Sequence, residues 1–283
     1  MSAPPRLRPE DWRPLLRAAL REDLGRDGDL TTRFFVAPSA RLKGRVVSRE
    51  PGVVCGLAVA AAAFKACDPG ARVLLLARDG ARVRRGQAVL EVAGSRAILS
   101  AERTALNFLQ RLSGVATLTR RYVDRARGTR ARILDTRKTI PGWRALDKYA
   151  VACGGGVNHR MGLYDAAMVK DNHHVSGRLE EGAAELRRRR PRAPLIVECD
   201  TPEEVERALR LSPDVILLDN MGPPQLRAMI SRVRRVAPRI QIEVSGGVSL
   251  GRVRALARLG PDRISVGRLT HSAPALDIGF DLA

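Results

Sequence analysis

Val215-Ile216-Leu217-Leu218-Asp219, an amphipathic stretch over 224–236, and Ile240-Gln241-Ile242-Glu243-Val244-Ser245-Gly246-Gly247 follow one another as apolar run, helix, apolar run. Short apolar runs bounded by turn residues and separated by helical periodicity are the pattern of βα units in a parallel sheet. The same grammar holds outward from this stretch, over everything past residue 130. Strands are expected at 131–135, 166–170, 195–198, 215–219, 240–244 and 264–266, and helices at 143–153, 178–189, 202–211, 224–236 and 250–259. The runs finish in Asp135, Lys170, Glu198, Asp219, Ser245 and Gly267. A βα barrel carries its functional groups on the carboxyl ends of its strands, whereas a doubly wound sheet gathers them at a switch point. Chemistry at every strand end favours a barrel, with fewer than eight strands.

Residues 1–130 lack this regularity. Trp12, Leu15, Leu16, Ala19 and Leu20 follow helical spacing that ends near Asp23-Leu24-Gly25, and Arg41–Ser48 reads as a strand. An Ala-rich helix is expected over 57–66. Short strands follow near 73–77, at Val83 and at 89–92, with turns at Asp79-Gly80 and Gly86-Gln87. Ser100 is expected to cap a long helix running to about Tyr122.

The chain has 283 residues, is 45% hydrophobic, and can bury one large core or two smaller ones. Its net charge is +20, yet aromatics make up only 4% and the arginines are spread along the whole length. Single-strand binders interleave aromatic platforms with their cations, so a nucleic-acid partner is not expected. Arg187-Arg188-Arg189-Arg190 reads as a solvated helix end. Cys55, Cys67, Cys153 and Cys199 lack metal-site spacing and read as small buried groups in a reducing compartment. With no signal peptide evident and the longest apolar run, 56–64, too short for a bilayer, no membrane partner and a cytoplasmic location are expected. Among 50 basic residues the lysines are Lys43, Lys65, Lys138, Lys148 and Lys170. Three of them share the window 135–174 with three of the four histidines. Lysine is a compact point charge suited to polyanions, where arginine offers a planar fork for carboxylates.

Ser245-Gly246-Gly247 precedes a helix expected near Ser249, an arrangement in which backbone amides can cup a phosphate. Gly267 ends the next strand and supplies a second wall; either element alone reads equally as a plain turn. Glu198 and Asp219, on neighbouring strand ends, suit Mg²⁺ with substrate phosphates, ribose hydroxyls, or an ion pair with a rim cation such as Lys170. Gly154-Gly155-Gly156 is expected to end a helix and let Asn158-His159-Arg160 fold back over the site. His173-His174 lacks helical zinc spacing and reads as structural.

These residues make the chain resemble the quinolinate phosphoribosyltransferase family, whose members decarboxylate their acceptor. The resemblance runs from Glu22-Asp23-Leu24-Gly25 and Gly28-Asp29-Leu30-Thr31-Thr32 to Leu269-Thr270-His271-Ser272. It is strongest in Glu102-Arg103-Thr104-Ala105-Leu106-Asn107, Asp135-Thr136-Arg137-Lys138-Thr139, Asn158-His159-Arg160 and Lys170-Asp171-Asn172-His173. It implies an N-terminal α/β sandwich domain over 1–115 and an open βα barrel over 116–269, with the tail 270–283 packing back on the first. It also implies homodimers, or assemblies of dimers, with shared active sites.

The implied reaction joins quinolinate to phosphoribosyl pyrophosphate, giving nicotinate mononucleotide, pyrophosphate and carbon dioxide, within NAD biosynthesis. By resemblance Arg137, His159 and Arg160 hold the carboxylates, with Arg103 reaching in from the other subunit. Lys138 and Lys170 face the phosphoribosyl pyrophosphate. Glu198 and Asp219 take ribose hydroxyls and Mg²⁺, and Ser245, Gly246, Gly247 and Gly267 cup the 5′-phosphate. Thr136 and Ser265 complete the substrate-binding set, and Lys138, Lys170, Glu198 and Asp219 the catalytic one. Arg268 stands where the family usually has a small residue, and Ile140 and Trp143 replace commoner Thr and Leu. A relative of the same fold acting on another aromatic acid is the nearest rival; the full set of carboxylate-binding Arg and His argues against it.

Overall fold

The computed structural model describes residues 7–174 and 177–283, with the side chains of Asp171 and His174 outside that description. In chain order the elements are α1 (Pro9–Leu24), α2 (Leu30–Phe35), β1 (Arg41–Ser48), β2 (Gly52–Val53), α3 (Leu57–Cys67), β3 (Arg72–Leu75), β4 (Arg82–Val83), β5 (Ala88–Ser95) and α4 (Ile98–Ala126). Then come β6 (Arg132–Leu134), α5 (Arg144–Cys153), β7 (Ala167–Val169), α6 (Asp171–His174), α7 (Leu179–Arg189), β8 (Leu195–Cys199), α8 (Pro202–Leu211), β9 (Val215–Asp219) and α9 (Pro223–Val236). The chain ends with β10 (Gln241–Ser245), α10 (Val253–Arg258), β11 (Arg263–Ser265), α11 (Arg268–His271) and β12 (Ile278–Leu282). Two compact units interleave: Met1–Arg120, Thr139–Gly155 and Leu269–Ala283 form one, and Arg121–Lys138 with Gly156–Arg268 the other.

The first unit holds an antiparallel sheet ordered β12-β1-β5-β3, against which α3 packs. Placing the tail strand β12 beside β1 requires two close approaches. A Cβ on Gly114 would fall 2.0 Å from the Pro274 carbonyl, and one on Gly52 would fall 2.6 Å from Leu276. Gln110 Nε2 donates to the Ile278 carbonyl at 2.8 Å, which seats the tail on α4. Ser113 and Thr117, one turn apart on α4, accept from the amides of Cys55 and Val53 at 2.9 and 2.8 Å. Two backbone amides beside the short β2–β4 ladder are thereby satisfied by side chains. Ser100 is no cap: α4 starts at Ile98, and the Ser100 hydroxyl donates to Asp29 Oδ2 at 2.9 Å. Asp29 is itself the N-cap of α2, accepting from the Thr32 amide at 2.9 Å. Helix α5, placed by sequence between barrel strands, packs in this unit beside α1.

The second unit holds a six-stranded parallel sheet ordered β6-β11-β10-β9-β8-β7. Its last strand, β11, pairs with its first, β6. That pairing returns the sheet on itself in barrel order, leaving the seam between β6 and β7. Paired residues share a face, so the register sorts the interior. Met168, Ile196, Val215 and Leu217, with Ala166, form an apolar plug. Two residues further along the same strands stand Lys170, Glu198 and Asp219. The plug is the floor on which the strand-end chemistry rests, and each fully buried leucine in such a layer contributes about 1.5–3 kcal/mol.

Arginine enrichment has a structural component. Arg96 donates to carbonyls ending α2, Arg187 to those of Leu211 and Ser212 ending α8, and Arg254 to those of Arg125 and Arg127 ending α4. Helix ends leave carbonyls unsatisfied, and a five-donor fork can take several at once. Arg187, read from sequence as solvated, is thus a cap for a neighbouring helix.

Candidate active site

Strand β6 ends in Ile133-Leu134-Asp135, and the segment after α5 returns alongside it. Val157 donates to the Ile133 carbonyl at 2.8 Å and accepts from the Asp135 amide at 3.3 Å, so a single bridge extends the sheet at the seam. The expected fold-back of 158–160 occurs by this route. Asp135 is fully buried and accepts from the His159 amide at 2.8 Å.

Arg137 and Arg160 flank this bridge, and the charge of the first acts on the second. Arg160 is half-buried and donates through Nη1 to the Ala166 carbonyl at 3.0 Å. Burial first, and then the positive charge of Arg137, hold its pKa below the ordinary guanidinium value. Arg137 is half-buried too, and its Nε is buried with no hydrogen-bond partner. Two neighbouring guanidiniums, one with an unmet donor, are costly. They suit a planar dianion that would satisfy both forks.

His159, expected on a carboxylate, is only 7% exposed, and both ring nitrogens meet protein groups. Nδ1 accepts from the Arg160 amide at 2.7 Å, and Nε2 lies 3.2 Å from Glu243 Oε1. Ser265, expected on substrate, is buried and donates to the same Glu243 oxygen at 2.6 Å. Lys138 is exposed, its amide donating to Thr136 Oγ1 at 3.1 Å.

On the far side of the seam Lys170 Nζ sits 2.5 Å from Glu198 Oε2, the ion pair that sequence offered as one of three readings. Asp219 is half-buried and accepts from Asn220 Nδ2 at 2.7 Å. The two carboxylates, on adjacent strands, fit an ion such as Mg²⁺ that takes one or two protein oxygens and fills its shell with phosphate and water. They do not form a closed cage, and among the described residues no group of three or more His, Cys, Asp or Glu could hold a metal.

Asn220 was not singled out by sequence. It adopts φ 52°, and its amide reaches the Ser245 carbonyl at 3.3 Å. A Cβ on Gly246, at φ +88°, would lie 2.2 Å from Asn220 Oδ1. Glycine is therefore required, and Gly246 and Gly247 turn consecutively at positive φ as in an anion nest. The expected helix near Ser249 starts instead at Val253, after a turn closed on the Ser249 carbonyl. Tyr122 donates to the Val248 carbonyl at 3.3 Å, which steadies this loop. Arg268 is exposed beside Tyr122, whose hydroxyl pKa is raised by burial against the pull of that charge. Gly267 is half-buried at the end of β11.

In the first unit Arg103 is exposed on α4. Trp143 stacks on Phe108 at 4.8 Å between ring centroids, and Ile140 is exposed. No helix among the described residues is long and apolar enough to cross a membrane.

Residues 29–113 match the family model described as quinolinate phosphoribosyl transferase, N-terminal domain, and residues 115–281 match that of the C-terminal domain. Nicotinate-nucleotide pyrophosphorylase [carboxylating] of Mycobacterium leprae is 45% identical over 274 residues, covering 95% of this chain and 96% of the relative. The probable enzyme of that name from Bacillus subtilis is 38% identical over 271 residues, covering 95% and 92%. The solved nicotinate-nucleotide pyrophosphorylase of Francisella tularensis superposes with a TM-score of 0.92 at 32% identity, covering 100% of both chains.

Proposed function

The chain belongs to the quinolinate phosphoribosyltransferase family, and from that premise we infer that it joins quinolinate to phosphoribosyl pyrophosphate with loss of carbon dioxide, in NAD biosynthesis. The observation that carries this reading is the Arg137–Arg160 pair, with its mutual repulsion and unmet Nε donor. Quinolinate places two carboxylates on adjacent ring carbons, and their negative charge removes both costs at once.

Catalysis is then mostly positioning and electrostatics. The pyridine nitrogen attacks C1′ of the ribose as the bond to pyrophosphate breaks, so the nitrogen gains positive charge and pyrophosphate leaves with the electron pair. Lys138 and Lys170 lie on the phosphoribosyl pyrophosphate side and stabilise the departing charge. Glu198 and Asp219 take the ribose hydroxyls and are the carboxylates that would hold Mg²⁺ together with substrate oxygens, where the ion supplies Lewis acidity to the leaving group. The Ser245–Gly247 turn and Gly267 receive the 5′-phosphate through backbone amides.

Once the ring is a pyridinium, the C2 carboxylate leaves as carbon dioxide. Its bonding pair remains on C2, beside the positive nitrogen, until a proton from water is added. An arginine that gripped this carboxylate as firmly in the transition state as before would oppose its loss. The fork on the departing carboxylate must therefore release it more readily than its partner does.

The working form is a homodimer in which Arg103, exposed on its helix, completes the partner's site. Mixing inactive Arg103→Ala and Lys170→Ala subunits tests this: restored activity supports a shared site, and none refutes it. The function itself is tested by nicotinate mononucleotide formation from quinolinate and phosphoribosyl pyrophosphate, with and without Mg²⁺. Turnover of nicotinate in place of quinolinate would overturn it.

A further inference from the structure

Glu243 has no part in the chemistry above, yet it is fully buried in the middle of β10. Its register partner on β9 is Leu217, a member of the apolar plug, and on β11 it is Arg263. A buried carboxylate there costs several kcal/mol by desolvation unless well paired. Three groups meet it: Ser265 Oγ at 2.6 Å, Arg263 Nε at 3.1 Å and His159 Nε2 at 3.2 Å.

The histidine contact has a direction. Nδ1 of His159 accepts from the Arg160 amide at 2.7 Å, so in the neutral ring the proton resides on Nε2, the nitrogen that lies 3.2 Å from Glu243 Oε1. The backbone of the same residue is tied to Asp135 at 2.8 Å. Residue 159 thus bridges the end of β6 and the interior of β10, and the next residue is Arg160, half of the cationic pair.

We propose that Glu243 is a positioning residue for the dicarboxylate end of the site, fixing one tautomer of His159 and through it the seat of Arg160. The proposal rests on the reading of Arg137 and Arg160 as the quinolinate cradle. His159 becomes a brace behind the cradle, Ser265 orients the carboxylate, and Arg263 neutralises it.

Glu243→Gln removes the charge while keeping the shape. Its amide can meet the Arg263 donor with oxygen only by turning NH₂ toward His159, where two donors then face each other. Imidazole ¹⁵N spectra of the full-length protein should show His159 as the Nε2-protonated tautomer, and the variant should lose that signature. Quinolinate KM should rise about tenfold or more, as expected when a binding group is displaced by a fraction of an ångström. The KM for phosphoribosyl pyrophosphate should stay within about twofold, whereas mere loss of structure would raise both. His159→Asn should give the same split, and the double variant should be no worse than either single, since both act through one contact. If Glu243→Gln does not fold, Ser265→Ala removes one donor from the same carboxylate and should shift quinolinate KM in the same direction. Unchanged quinolinate KM in the folded variant used, or an additive double, overturns the proposal. Arg160→Gln separates the two levels. If it leaves quinolinate KM unaltered, the cradle itself is wrong; if it raises KM and Glu243→Gln does not, only the positioning role is.

Discussion

Arg137→Met should make the empty protein more stable while disabling it. Arg137 Nε is buried without a hydrogen-bond partner, and its charge adds to burial in holding the Arg160 pKa down. An unmet buried donor costs about 1–3 kcal/mol. Methionine keeps the apolar stem and removes both donor and charge, so unfolding free energy should rise by about 1–2 kcal/mol. For a chain of this size the thermal midpoint should move up by about 2–4 °C. Ligand response should move the other way. Quinolinate at a hundredfold excess over its Kd stabilises wild type by about 2.7 kcal/mol through mass action. Losing one charge-assisted fork, at about 1.5–3 kcal/mol per bond, weakens binding enough to erase most of that shift at the same concentration. The assay is thermal unfolding with and without quinolinate, followed by steady-state turnover. A lowered midpoint without ligand, or a wild-type shift with it, would refute the reasoning.

Lys170→Met strands the Glu198 carboxylate, but because the lysine is 40% exposed, stability should change by less than about 1 kcal/mol. Turnover should nevertheless fall by about 10²-fold or more, which single-turnover pyrophosphate release would measure. Gly246→Ala forces a Cβ to within 2.2 Å of Asn220 Oδ1 at φ +88°. It should cost more than about 1 kcal/mol and raise KM for phosphoribosyl pyrophosphate more than for quinolinate. The Thr32 hydroxyl and amide hold the Asp29 carboxyl below its ordinary pKa. A depressed carboxylate lends stability that is present above about pH 4 and lost as pH falls through the folded value. Asp29→Asn, which caps comparably, should flatten the acid limb of the midpoint-versus-pH curve while changing the neutral midpoint little.

The barrel was legible because strand ends carry a signal that packing alone does not: Lys170, Glu198, Asp219 and Ser245 break apolar runs at the same point of each βα unit. The Gly-Gly turn was legible for a similar reason, although its following helix starts later than expected. Glu243 was missed because attention to strand ends skips strand middles. Its alternation with Ser245 places both on the inward face, and Arg263 and Ser265 repeat the same spacing on β11. Two strands with polar residues at matched inward positions would have indicated a buried network. Helix α5 was placed by its position between strands; its packing beside α1 depends on contacts distant in sequence. The role of His159 was hidden because imidazole serves equally as ligand or brace, and only the neighbours of its two nitrogens separate the two.

The central claim is that Arg137 and Arg160 present quinolinate for phosphoribosyl transfer followed by decarboxylation. It is tested most directly with quinolinate labelled in the C2 carboxylate, following labelled carbon dioxide and nicotinate mononucleotide in the same reaction. The account predicts one carbon dioxide per nucleotide, wholly dependent on phosphoribosyl pyrophosphate and reduced by orders of magnitude in Arg137→Met. Nucleotide formed from another aromatic acid with no labelled carbon dioxide would contradict it.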